Sequence, residues 1–171
     1  WPVGTSQLVR WSSTGISFVN VSYSLSNGSG GSWVRISNNT PASYTNVTWN
    51  ISEELDVVDQ ALIKIENAED PVRVWDTSNT TFNVTPVFDI IAPESGHVVI
   101  AEEPYSINWT KKGTNVGNVI LEFQTSAGGT WIPVTTGSVS STPPYPWSSA
   151  NGTVLSNTCK IRITYANNSQ V

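Results

Sequence analysis

The stretch "NVTWNIS", residues 46–52, alternates without a break: Val47, Trp49 and Ile51 are apolar, and Asn46, Thr48 and Asn50 are polar. Successive side chains on a β-strand point to opposite faces, so the pattern predicts a half-buried strand with a tryptophan core face. The same residues hold two N-glycosylation signals, Asn46-Val-Thr48 and Asn50-Ile-Ser52, with both acceptors on the polar side. Similar short strands fill the rest of the chain. "LVRW" and "SINW" alternate into Trp11 and Trp109, "VNVSYSL" puts Val21, Tyr23 and Leu25 on one face, and "NVILEFQ" does the same with Val119, Leu121 and Phe123. Glycine turns, "NGSGGSW" and "SAGGTW", run into Trp33 and Trp131. Short strands rich in β-branched and aromatic residues between regular turns indicate an all-β sandwich. Only "SEELDVVDQALIK", residues 52–64, has a weak helical period, and at most a short turn is expected there.

The tryptophans also reveal an internal repeat. Trp11 and Trp109, Trp33 and Trp131, and Trp49 and Trp147 are each 98 residues apart, as are Gly30-Gly31 and Gly128-Gly129. Ile63, Lys64 and Ile65 fall on Ile161, Arg162 and Ile163, and Ala61 falls on Cys159. One ungapped offset along the whole chain predicts two tandem immunoglobulin-like β-sandwich domains, residues 1–84 and 85–171, since such a sandwich takes about 100 residues. Val21, Tyr23, Leu25, Trp11, Trp33, Trp49, Ile63 and Ile65 are the expected first core, and their partners 98 residues on the second. Cys159, the only cysteine, reads as a small buried hydrophobe on the face of Ile161 and Ile163.

The order "WSSTG … VNVSYSL … GGSW … VTW … IKI … DTSNTTFNV" resembles the immunoglobulin- and fibronectin-III-like repeats of secreted microbial surface proteins, and most of all the Kre9/KNH-type module of Ser/Thr-rich cell-wall proteins. Two elements of that pattern are present, "DIIAPESG" at residues 89–96 and the set Asp76, Ser78, Phe82 and Val84. The resemblance implies an extracellular, wall- or filament-associated module and supplies no catalytic residue. By that pattern the first copy begins after its "DIIAPESG"-type strand and the second ends before its "DTSNTTF"-type strand. A sheet edge left open exposes unpaired N–H and C=O groups. Either flanking residues or a neighbouring subunit are expected to fill it. The expected partner is the chain itself, as a head-to-tail homopolymer or tandem repeats with strand sharing.

Asn-X-Ser/Thr signals occur at Asn20, Asn27, Asn38, Asn46, Asn50, Asn79, Asn83, Asn108, Asn151 and Asn167. Random placement of the chain's asparagines gives about four, with Ser and Thr about a quarter of residues. Asn20, Asn46, Asn50, Asn83 and Asn108 adjoin apolar strand residues that point inward, so they are expected to point out, where a bulky glycan fits. Asn27, Asn38, Asn79 and Asn151 fall in turn-like stretches, and the facing of Asn167 is set by Ile163 and Tyr165. Covalent N-glycans are expected, and no other cofactor. They would explain how a chain with only 12% charged residues stays hydrated.

Composition narrows the remaining classes. A net charge of −5 and no Lys/Arg cluster argue against a nucleic-acid partner. No apolar run is long enough to span a bilayer. The chain starts at Trp1 and has no methionine, which reads as a mature or partial segment of a larger, secreted precursor. His97 is the only histidine, too little for a metal set or a nucleophilic triad. Glu66, Glu69, Asp70 and Asp76 cluster in an oxygen-rich stretch that fits no EF-hand spacing and reads as a solvated loop. The adjacent pairs Glu53-Glu54 and Glu102-Glu103 point to opposite strand faces and make poor glycosidase pairs. No enzyme is expected. The rival reading is a carbohydrate-binding or adhesin module using Trp1 and Trp75, the two tryptophans that the repeat leaves unpaired. Trp75 is expected to face outward beside Val74 and to serve as an interface or sugar contact.

Overall fold

The computed structural model describes residues 1–100, 102–148 and 156–167. The chain is all-β, with antiparallel pairing throughout its named ladders. Its contacts divide it into two compact units, Trp1–Val87 with Lys112–Asn115, and Phe88–Lys111 with Val116–Val171.

The first unit contains β1 (Ser6–Arg10), β2 (Phe18–Ser24), β3 (Val34–Pro41), β4 (Asn46–Asn50), β5 (Val58–Asn67), β6 (Trp75–Thr77) and β7 (Phe82–Val84). β1 and β4 form one sheet, with Gln7 opposite Trp49 and Val9 opposite Val47. The other sheet runs β3-β2-β5-β6, and β7 also pairs with β5. The only helical turns here are 3-10, at Ser29–Gly31 and Ala42–Tyr44. The weakly helical stretch ends in β5 instead, because Ala61 and Ile63 alternate onto the core at period two. Between the sheets lie Val9, Val19, Val21, Trp49, Ile51, Ala61, Ile63 and Val84, all buried. Burying such aliphatic side chains contributes about 1.5–3 kcal/mol each.

The second unit contains β8 (Val87–Ala92), β9 (Tyr105–Lys112), β10 (Asn118–Gln124), β11 (Ile132–Pro133), β12 (Val139–Ser140), β13 (Tyr145–Trp147) and β14 (Lys160–Tyr165). One sheet runs β13-β9-β8, and in the other β10 pairs with β11, β12 and β14. Ile107, Trp109, Val119 and Leu121 are its buried centre.

The repeat is visible in the packing. The Trp11 indole N–H donates to Ala42 O at 3.2 Å, and the Trp109 indole N–H donates to Ser141 O at 3.2 Å. Tyr23 stacks on Trp49 at 4.5 Å, and Phe123 packs on Trp147 at 5.3 Å. The match is not ungapped, however. Val21 faces Ile65, but Ile163, 98 residues after Ile65, faces Leu121, which is 100 residues after Val21. A slip of two residues keeps every side chain on its own face, so period-two patterning is blind to it.

Two core expectations are corrected. Trp33 and Trp131 do not enter either core; each lies on an outer sheet face over a cation, as described below. Cys159 is exposed, although its counterpart Ala61 is fully buried. Ala61 is covered because Phe82 of β7 pairs beside it; among the described residues no strand plays that part for Cys159, which precedes β14.

Candidate functional site

The outer face of the larger sheet in the first unit is built around Lys64. Central strand β2 lies between β3 and β5, and Arg35 and Lys64 both sit opposite Ser22 across it, so the three form a cross-strand row. Glu66 of β5 accepts from Arg35 of β3 at 2.9 Å and from Lys64 at 2.7 Å. The Lys64 ammonium stands 5.8 Å from the Trp33 ring centre and 5.7 Å from that of Trp75, within cation–π range of both. Trp33 is held by the preceding turn. Gly28 has φ +71°, and a Cβ there would come within 2.9 Å of the Trp33 ring. Burial alone would raise the Glu66 carboxyl. The hydrogen bonds from Lys64 and Arg35, and their charges, outweigh it and hold that carboxyl below the usual glutamate range. The second unit repeats the motif with arginine: Arg162 lies 4.3 Å from the Trp131 ring centre and donates to Glu122 at 2.9 and 2.6 Å.

This row explains why Asn20, on the face that alternation gives it, is covered all the same. It lies on the outer side of β2, yet it is only 7% exposed, opposite Glu66, and its Oδ1 accepts from Asn39 N–H at 3.0 Å. On a central strand the outer face can still be covered by side chains from its neighbours. That cover leaves little of Asn20 accessible to a bulky glycan.

The other acceptor asparagines are placed differently. Asn27, Asn38, Asn50, Asn79, Asn83 and Asn167 are exposed. Asn46 and Asn108 are half-buried, with Asn46 Nδ2 donating to Tyr44 O and Asn108 Oδ1 accepting from Trp109 N–H. Asn50 Oδ1 accepts from the Ser6 hydroxyl at 2.7 Å. Asn151 lies outside the described residues.

Of the two unpaired tryptophans, Trp1 joins the core rather than an interface. It packs edge-on against Trp49 at 6.0 Å and against Phe82 at 4.5 Å. Trp75 is 56% exposed. Val74 is itself 41% exposed and lines a groove of about 540 Å³ between β1 and β6. Among the described residues there is no cluster of three or more metal-ligating side chains. His97 is exposed and lies 5.0 Å from Tyr105. No helix among the described residues is long and apolar enough to cross a membrane.

No family model matches the chain, and no curated protein matches it. Among solved structures it is similar to the fibronectin(III)-like modules of Clostridium thermocellum CbhA, at 16% identity over 89% of this chain and 74% of that one, with a TM-score of 0.28. At that distance the fold rests on the strand topology above, and the Kre9/KNH-type likeness has no family match behind it.

Proposed function

We propose that the chain is a structural, N-glycosylated repeat unit of an extracellular filament or cell-surface assembly, built as two tandem immunoglobulin-like sandwiches. The observation that carries this reading is the exposure of Asn27, Asn38, Asn50, Asn79, Asn83 and Asn167 on a surface poor in charge. Asn20, nearly buried, is left out of the set. Glycans at the exposed sites would hydrate the outer faces and block edge-to-edge sheet association. Copies joined head to tail, with strands shared at the junctions, are the assembly this unit suits. Glycosidase treatment of the native protein followed by intact-mass measurement tests the reading: a drop of several glycan masses is expected, and an unchanged mass overturns it.

The exposure of Trp75 favours a second reading, a carbohydrate-binding or adhesin surface. Trp75→Ala on a glycan array separates the two. Loss of glycan binding supports the adhesin, and loss of assembly supports the structural unit.

A further inference from the structure

The two units differ at one sheet edge. In the second, β8 pairs along β9 and packs Phe88 and Ile90 against the buried centre formed by Ile107 and Trp109. β1 is the counterpart of β9: Val9 and Trp11 stand 98 residues before Ile107 and Trp109, and β4, like β13, pairs on its other side. Among the described residues nothing pairs with the remaining edge of β1. Trp11 N–H donates to Thr45 O at 3.0 Å, and Thr5 O accepts from Ile51 N–H at 2.9 Å, so the odd-numbered residues turn their backbone groups toward β4. By strand alternation the N–H and C=O groups of Ser6, Leu8 and Arg10 turn away from it. Such an edge is a template for another strand.

Beneath that edge lies the groove between β1 and β6. Val9, Ile63 and Ile65 form its apolar floor, and Leu8 and Val74, 40% and 41% exposed, form its rims. What would fill it is set by the second unit. β8, "VFDIIA", is an extended segment whose Phe88, Ile90 and Ala92 are half-buried, while Asp89 and Ile91 are exposed. Its six residues span about 20 Å and the five of β1 about 17 Å, so the lengths match. Charges match too. Arg10 on the β1 edge and Asp89 on β8 are opposite in sign, and neither takes part in an ion pair among the described residues.

We propose that this groove is a strand-acceptor site. It takes an extended segment of the β8 type from a second copy of this repeat, paired along Ser6–Arg10 with alternate apolar side chains on Val9, Ile63 and Ile65. The source of the strand rests on the assembly proposed above; the open edge does not.

The test offers the intact protein a synthetic peptide of residues 86–96, "PVFDIIAPESG", with a control carrying Asp at both Phe88 and Ile90. Saturable binding of the first peptide alone is expected, with slowed amide exchange at Leu8 and Arg10 and none at Gln7 or Val9. Leu8→Pro removes an outward N–H at an edge position that strands tolerate. It should weaken binding about tenfold, the upper worth of one backbone hydrogen bond, without lowering the melting temperature. Val74→Asp, on the exposed rim, gives the same loss by an independent route should the proline variant unfold. Equal binding of both peptides, or protection elsewhere, overturns the proposal. Filaments that persist in a variant unable to bind the peptide refute the acceptor and leave the assembly standing. Peptide binding by protein that forms no assembly supports the acceptor and refutes the assembly.

Discussion

Replacing Glu66 with alanine leaves Arg35 and Lys64 as two cations without their shared anion. Glu66 is only 8% exposed and accepts from Lys64 at 2.7 Å and from Arg35 at 2.9 Å. Removing one partner of a fully buried pair costs about 3–5 kcal/mol, and an exposed pair is worth about 0–1 kcal/mol. The Lys64 side chain is 19% exposed and that of Arg35 42%, so the arginine regains water easily and the lysine only in part. A loss of about 2–3 kcal/mol is therefore expected at pH 7, measured by urea denaturation. The loss should shrink in a Lys64→Met background, because the lysine is then no longer there to be stranded. Acid gives a second readout. The folded carboxyl sits below its unfolded value of about 4.3, so its contribution is complete above that pH and fades as pH falls through the lower, folded value. The wild type and Glu66→Ala should thus converge in stability on acidification below about pH 4.3. A penalty under about 0.5 kcal/mol at pH 7, or a gap that stays constant into acid, would refute the reasoning.

Three further outcomes are expected. Leu121→Ala, at a fully buried position, should lower stability by about 2–5 kcal/mol in chemical denaturation. Cys159 should react completely with a thiol reagent in the folded protein, whereas a cysteine placed at Ala61 in a Cys159→Ser background should react only on unfolding. Glycopeptide mass spectrometry of the native protein should find Asn50 and Asn83 occupied and Asn20 bare.

What the sequence made legible was periodicity. Trp49, Val21, Ile63 and Leu121 all lie on the faces that alternation assigns them, and the indoles of Trp11 and Trp109 make equivalent bonds. What it concealed was lateral context. Alternation says which face Asn20 occupies but not that Glu66 lies across from it in a central position. The shared offset of Trp33 and Trp131 showed that they are equivalent. Their stacking partners are equivalent as well, Lys64 and Arg162, and that pairing was the available sign that these rings cover cations rather than fill a core. The open edge beside β1 was legible in the repeat, where the first copy has no counterpart of the "DIIAPESG" strand, but the residues that line the groove were not.

One small bridge has a mechanical consequence. Pro2 pairs with Thr85 in parallel, through Val3 N–H to Thr85 O and Thr85 N–H to Trp1 O, each at 3.0 Å. In a parallel pair the start of one segment and the finish of the other lie at opposite tips. Tension applied through Trp1 and Val87 therefore loads both bonds in shear, together, instead of peeling them open one after the other. A cable made of such units would meet a pull with its first and last segments already clamped side by side.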